Sequence, residues 1–236
     1  MKVLLANPNS TEAITRACGV LARGAASAGT EIVDWTNREG PAAVDSLYTD
    51  YLAGASLAPG LASVAPRPDA VVLAGFGDYG TGAVKEVLDV PVVGLAEAAM
   101  AFATPLCHRF AIVTTSPRMI AYTEDLVQLL GFAPRCAAVR AVGLPPIGAG
   151  EPRAEDVVAE LADVVTATRV DERIDLVILG GARLSPHAAA LRQRTPLTVV
   201  EPVACAVAMA ESLVRLGLSH SKTGKFAPPP RGVRLS

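Results

Sequence analysis

Two stretches of this chain repeat one pattern. Val71-Val72-Leu73-Ala74-Gly75-Phe76-Gly77-Asp78 and Val177-Ile178-Leu179-Gly180-Gly181-Ala182-Arg183 are apolar runs that stop on glycine. Such a run reads as a strand buried on both faces and ending in a tight turn, as in a parallel sheet. Each sits in a longer matching frame. Asn7 follows the apolar run Val3-Leu4-Leu5, and Thr114 follows Phe110-Ala111-Ile112-Val113. Asn7 precedes Gly75 by 68 positions, and Thr114 precedes Gly181 by 67. A proline opens the next apolar run 16 residues past Gly75 (Pro91) and 15 past Gly181 (Pro196). The chain therefore reads as two copies of one α/β unit offset by 106 positions, Gly75 to Gly181. Two such lobes bring equivalent strand ends to one cleft, and open parallel sheets bind ligands outside the carboxyl ends of their strands.

The pattern along the chain alternates strand and helix, which means parallel α/β architecture. Strands are predicted at Lys2–Ala6, Glu31–Trp35, Ala70–Ala74 and Val90–Leu95, then Arg109–Val113, Cys136–Val142, Leu176–Leu179 and Leu197–Val200. Helices are predicted at Thr11–Ala28, Val44–Leu57, Thr81–Leu88 and Ala96–Thr104, then Met119–Leu130, Glu155–Ala167, Ser185–Arg192 and Val203–Leu216. Ser10 or Thr11 is the expected cap of the first helix. The tail from Ser219 to Ser236, with Pro228-Pro229-Pro230, is expected to be irregular and to lie on the surface. The expected fold is α/β with two pseudo-symmetric lobes, each a mainly parallel sheet flanked by helices, and an active-site cleft between them. Residues 1–97 with 207–236 form lobe one, and 98–206 form lobe two.

Charge and cysteine usage narrow the function classes. A net charge of −2 gives no electrostatic footprint for nucleic acid or an anionic membrane. No apolar run is long enough to span a bilayer without interruption. Cys18, Cys107, Cys136 and Cys205 have neither zinc-site spacing nor a histidine cluster beside them, so no metal is expected. The strand that starts at Lys2 leaves no room for a signal peptide, and the expectation is a cytoplasmic protein. His108, His187 and His220 are isolated.

The chemistry-bearing residues fall in the turns after strands. Lobe one offers Asn7, Asn9, Ser10, Gly75, Phe76, Gly77, Asp78 and Tyr79; lobe two offers Thr114, Thr115, Ser116, Gly180, Gly181, Ala182 and Arg183. Each alone reads as a turn or cap residue. As a set placed symmetrically, their hydroxyls, amides and backbone N–H groups suit a carboxylate or an enolate oxygen. The glycines do not fit a nucleotide loop: Gly75-Phe76-Gly77-Asp78-Tyr79-Gly80 lacks the dinucleotide spacing and follows the third strand, not the first. No nucleotide is expected.

Several segments together resemble the aspartate/glutamate/hydantoin racemase superfamily, and within it the hydantoin and allantoin racemase branch. They are Asn7-Pro8-Asn9-Ser10-Thr11, Gly40-Pro41-Ala42-Ala43 with Ser46 and Tyr48, Phe76-Gly77-Asp78, and Pro91 to Met100. Phe110 to Thr115 and Leu213 to Pro228 complete the set, which covers nearly the whole chain. The resemblance implies a small-molecule substrate between two lobes, a homo-oligomer, and cofactor-free proton transfer by one cysteine from each lobe. By the family pattern the first cysteine stands directly before Phe-Gly-Asp, where this chain has Gly75. The second follows a strand ending in Leu-Gly, where this chain has Gly181. The related arylmalonate decarboxylases keep one of the two cysteines and remove a carboxylate.

Glycine cannot move a proton, so a two-thiol racemisation cannot run on this sequence. Four groups are candidate stand-ins. Tyr79 takes the place of the proline that often follows Phe-Gly-Asp in the family. Tyr48 matches a family tyrosine. Glu201 follows the last strand, where relatives often carry aspartate, and Cys205 lies at i+4 from it. Cys107 precedes a strand at the wrong end of the sheet, and Cys18 lies mid-helix. Three readings follow: an isomerase or lyase without the two-cysteine mechanism, acting on a small carboxylate, amide or cyclic ureide; a hydantoin-type racemase inactivated by replacement of both cysteines; and a non-catalytic small-molecule binder.

Overall fold

The computed structural model describes residues 1–145, 150 and 152–230. Its elements alternate from end to end. Lobe one contains β1 (Lys2–Asn7), α1 (Glu12–Ala25), β2 (Glu31–Thr36), α2 (Leu47–Ala62), β3 (Ala70–Leu73), α3 (Thr81–Val87) and β4 (Val92–Gly94). The second half runs α4 (Leu95–Ala103), β5 (Phe110–Thr114), α5 (Met119–Leu129), β6 (Cys136–Ala141), α6 (Ala154–Glu172) and β7 (Leu176–Gly180). A 3-10 turn at Ser185–His187 leads to α7 (Ala188–Arg192), β8 (Thr198–Val200) and α8 (Pro202–Leu216).

The two sheets are parallel throughout and have the same strand order, β2-β1-β3-β4 and β6-β5-β7-β8. The internal repeat read from the apolar runs is therefore a repeat of topology. Alternation along each strand splits the core. Val3, Leu5, Val72, Phe110, Ile112, Leu176 and Ile178 point into one cluster shared by both sheets, closed by Ala98 and Ala99 of α4 and Val203, Ala206 and Val207 of α8. Leu4, Val71 and Leu73 face α2 and α3 on the outer side of the first sheet, and Val113, Val177 and Leu179 face α6 on the outer side of the second. Burial on both faces explains why these strands read as continuous apolar runs.

Element boundaries depart from expectation where local stop signals mislead. The helix expected over Val44–Leu57 begins at Leu47 and continues to Ala62. Its start is fixed by a reciprocal cap in which the Ser46 hydroxyl accepts from Thr49 N and the Thr49 hydroxyl closes on the Ser46 backbone. Pro59 sits inside its last turns. The helix expected over Glu155–Ala167 runs on to Glu172 and ends where Arg173 takes a positive φ of 53°. The first helix stops at Ala25, three residues early. Thr11 caps its start by backbone position only, while its hydroxyl donates to Ala42 O. The tail follows no regular element to Pro230; residues 231–236 of that expectation lie outside the described residues. Within it, Ser219 donates to Asp89 O, and Lys222 Nζ donates to the carbonyls of Lys85 and Glu86 at the end of α3. No helix among the described residues is long and apolar enough to cross a membrane.

Candidate ligand-binding cleft

The carboxyl ends of β1, β3, β5 and β7 meet at a cavity of about 270 Å³. Gly75 and Gly181 sit on its wall and begin turns of the same kind. Gly75 O accepts from Asp78 N at 3.1 Å, and Gly181 O accepts from Leu184 N at 2.9 Å. Lobe one contributes Pro8, Asn9, Val44, Asp45, Phe76, Gly77 and Tyr79 to the wall. Lobe two contributes Thr114, Thr115, Ser116, Arg118, Tyr122, Gly180, Ala182 and Arg183. The wall is uneven: aromatic and apolar groups dominate the lobe-one side, and hydroxyls and guanidinium groups dominate the other. A site of this composition favours a small molecule with oxygen acceptors on one side and a flat or apolar part on the other.

Two loops are fixed before any ligand arrives. Asn7 is fully buried, and its side chain is spent on the loop itself: Nδ2 donates to Asn9 Oδ1 and Thr15 Oγ1 at 3.0 Å, and Oδ1 accepts from Asn9 N. Ser10 N donates to Pro41 O at 2.9 Å. Asn37, also buried, donates to Pro8 O and Ser56 Oγ, tying the same loop to α2. In lobe two the Thr114 hydroxyl donates to Gly180 O at 3.1 Å, joining the ends of β5 and β7.

The turn after β3 is held by Asp78. Its φ is +49°, and its carboxylate accepts from Ala96 N and Glu97 N at 3.0 Å. Gly94 has no side chain with which to cap α4, so Asp78 does it from the neighbouring loop, while Glu97 reaches back to Gly94 N and pairs with Lys85. Burial and the negative charge of Glu97 push the Asp78 carboxyl up to about 7, against the pull of the two N–H groups and of Lys85. A carboxyl whose folded pKa lies above its unfolded value binds more protons when folded, so its contribution to stability declines as pH rises. The difference in thermal midpoint between wild type and Asp78→Asn is therefore expected to shift against the wild type from about pH 4 to about pH 7 and to level off above that. Thermal melts of both proteins across that range check it; a difference that is flat or rises with pH would rule this titration out.

The four candidate stand-ins for the thiols separate. Tyr79 lines the cavity. Tyr48 does not: it lies on the outer face of α2 and is 71% exposed, because the buried stripe of that helix is Ala53, Leu57 and Leu61. Glu201 is buried, but its carboxylate caps α8, accepting from Val203 N at 2.7 Å and Ala204 N at 2.8 Å. Cys205 packs against the shared core, where burial pushes its thiol up to about 11. Cys18 is fully buried, with its thiol pushed up to about 12. Of the expected binding residues, Phe76, Gly77, Thr114, Thr115, Ser116, Gly180 and Ala182 line the cavity. Asn7, Ser10 and Asp78 lie outside its wall and shape the loops that form it.

Sequence reading missed Tyr122 and Arg118. Tyr122 stands on α5, and its hydroxyl crosses to lobe one, donating to Asp50 Oδ2 at 2.8 Å and lying 3.2 Å from Gly77 O. Its ring tilts against that of Tyr79, with centroids 5.8 Å apart. Burial and the neighbouring Asp50 push the Tyr122 phenol far above its usual value; burial and the same carboxylate do so for Tyr79. Neither phenol is a base near neutral pH. Among the described residues, no group of three or more His, Cys, Asp or Glu is placed to hold a metal ion.

Comparison with known proteins agrees with this architecture. Residues 3–210 match the family model described as Asp/Glu/hydantoin racemase. A hydantoin racemase of Paenarthrobacter aurescens is 33% identical over 234 residues, covering 97% of this chain and 98% of that protein. The crystal structure of allantoin racemase from Pseudomonas fluorescens superposes with a TM-score of 0.92 at 35% identity, covering 99% of this chain and all of that one. Allantoin racemase from Klebsiella pneumoniae gives a TM-score of 0.90 at 32% identity, covering 98% and 94%.

Proposed function

The chain belongs to the Asp/Glu/hydantoin racemase family, and from that premise we propose that its cleft takes a small carboxylate, amide or cyclic ureide and acts at a carbon acid without a cofactor and without the two-cysteine mechanism. One observation carries this reading: Gly75 and Gly181, which stand where the family pattern puts its cysteines, open matching turns on opposite walls of one cavity. The cleft keeps what such chemistry needs on the ligand's oxygens. Removal of a proton from carbon next to a carbonyl leaves negative charge on oxygen, and hydroxyls, backbone N–H groups and the Arg118 side chain on the lobe-two wall suit that charge, with the Arg183 guanidinium beside them held by Pro145 O. What has changed is the flank of the carbon.

Hydantoin and allantoin racemases among the relatives make cyclic ureides the first probes. Incubation in D₂O with one enantiomer of allantoin, of 5-benzylhydantoin and of aspartate, followed by NMR, is expected to show deuterium entering the carbon at least about 10²-fold faster than in buffer for one of them. A second reading, a binder that retains the cleft, is favoured by the lack of a thiol on the cavity wall among the described residues. A probe that raises the thermal midpoint but never exchanges would select the binder and sink the enzyme reading.

A further inference from the structure

The two walls of the cleft are not equivalent where the family's chemistry would need them to be. A Cβ built on Gly75 would lie 2.8 Å from Tyr79 Cδ2, 3.0 Å from Tyr79 Cε2 and 2.8 Å from Pro8 Cγ. A Cβ on Gly77 would meet the same ring at 2.1 Å. The ring is turned back onto both glycines and is held there. Its hydroxyl donates to Val44 O at 3.2 Å, and Tyr122 backs it while tied to Asp50. On the lobe-two wall a Cβ at Gly181 meets, among the described residues, only the Thr115 methyl at 2.9 Å and Leu184 Cγ at 4.0 Å. A threonine methyl can give way by rotation; a ring anchored at its far end and packed at a tilt against Tyr122 cannot do so without breaking those contacts.

We propose that Tyr79 is the specificity-determining residue of this cleft: its ring plugs the lobe-one side beside Gly75, so that a bound acid or cyclic ureide rests a flat or apolar part on the ring and meets polar groups from the Gly181 side alone. The inference rests on reading Gly75 and Gly181 as the family's cysteine positions. It adds that the loss of the first thiol is not a simple deletion. The space has been filled, and Gly75 is required by the Tyr79 ring together with Pro8 on its other side. Racemisation needs both faces of a carbon open to proton transfer, and here one face is covered by aromatic carbon atoms that carry no exchangeable proton.

The test separates the plug from the chemistry. Gly75→Cys is made alone and together with Tyr79→Ala, and the folded proteins are alkylated with iodoacetamide, with labelling resolved by peptide mass spectrometry. The half-buried Cys107 serves as the internal reference. The introduced thiol is expected to label at least about tenfold more slowly with Tyr79 present than without it; equal rates overturn the proposal. Gly75→Ala supplies a measurement free of thiol chemistry. It is expected to lower the thermal midpoint more in wild type than in the Tyr79→Ala background, and an equal drop in both overturns the proposal. If Gly75→Cys folds only when Tyr79 is removed, the same coupling is demonstrated. Racemisation of allantoin is then compared between Gly75→Cys/Gly181→Cys and that pair with Tyr79→Pro. Activity confined to the triple variant supports the plug and the reading of Gly75 and Gly181 as the cysteine positions together, whereas racemisation by the pair alone overturns the plug. Labelling that responds to Tyr79 with no racemisation in either leaves the plug standing and counts against that reading of the two glycines.

Discussion

Gly94→Ala is expected to cost about 3 kcal/mol and to lower the thermal midpoint by about 6–12 °C. The methyl group would sit 2.2 Å from Asp78 Oδ1 and 2.3 Å from its Cγ, so the carboxylate must leave. With it go the two hydrogen bonds to Ala96 N and Glu97 N, each worth about 1.5–3 kcal/mol when the carboxyl is ionised and less when it is protonated, and water replaces part of the loss. The same carboxylate anchors the turn from Gly75 to Gly80 against α4, so that turn loosens and the lobe-one wall of the cleft loosens with it. Ligand affinity should therefore fall together with stability. A double-mutant cycle isolates the cause. In an Asp78→Ala background, where the clash has no partner, Gly94→Ala should cost less than about 1 kcal/mol. Additive costs would mean that the glycine is needed for some reason other than room for the Asp78 carboxylate.

This dependence of a strand-end glycine on a residue 16 positions earlier shows what a linear reading can reach. Strands were legible because both faces of each are buried: Val71, Val72 and Leu73 have no solvent side, so the run is unbroken and its end on glycine is sharp. The repeat was legible for the same reason, and it became identical strand order in both sheets. Helix ends were less so. Pro59 reads as a stop, but it falls where α2 is closing and only one backbone bond is lost, so burial of Leu57, Ala58 and Leu61 carries the helix past it. Arg173 ends α6 in a left-handed conformation with no glycine to announce it.

At the cleft the turns after β3, β5 and β7 were legible because a parallel sheet sends those residues to one edge whatever else the chain does. Side-chain direction was not. Tyr48 and Glu201 both stand beside a helix start, yet packing of the whole helix decides that Tyr48 faces solvent and that Glu201 turns back onto its own N–H groups. Tyr122 left no local signal, since its role comes from a helix of one lobe reaching Asp50 and Gly77 in the other. Such contacts depend on how the lobes sit together, which no periodicity encodes.

The seating of the lobes leads to the largest expected effect on stability. Phe110→Ala should cost about 3–5 kcal/mol and lower the midpoint by about 6–20 °C. Phe110 opens β5, has no exposed surface and belongs to the cluster that takes side chains from both sheets together with α4 and α8. A cavity there withdraws contacts from Leu176 and Ile178 in one lobe and from Val3, Leu5 and Val72 across the shared core. The lobes should therefore respond as one unit. Trp35 makes this observable, because the chain's single tryptophan lies on β2 and packs on the outer side of the first sheet, in a cluster apart from Phe110. Its fluorescence transition and the far-UV circular dichroism transition should move down by the same amount and stay coincident. If Phe110→Ala instead splits them, with Trp35 melting at its wild-type temperature, the first lobe holds its core unaided. The cleft would then be a hinge between independently stable halves, and the Tyr122–Asp50 hydrogen bond would become a polar tie closing it.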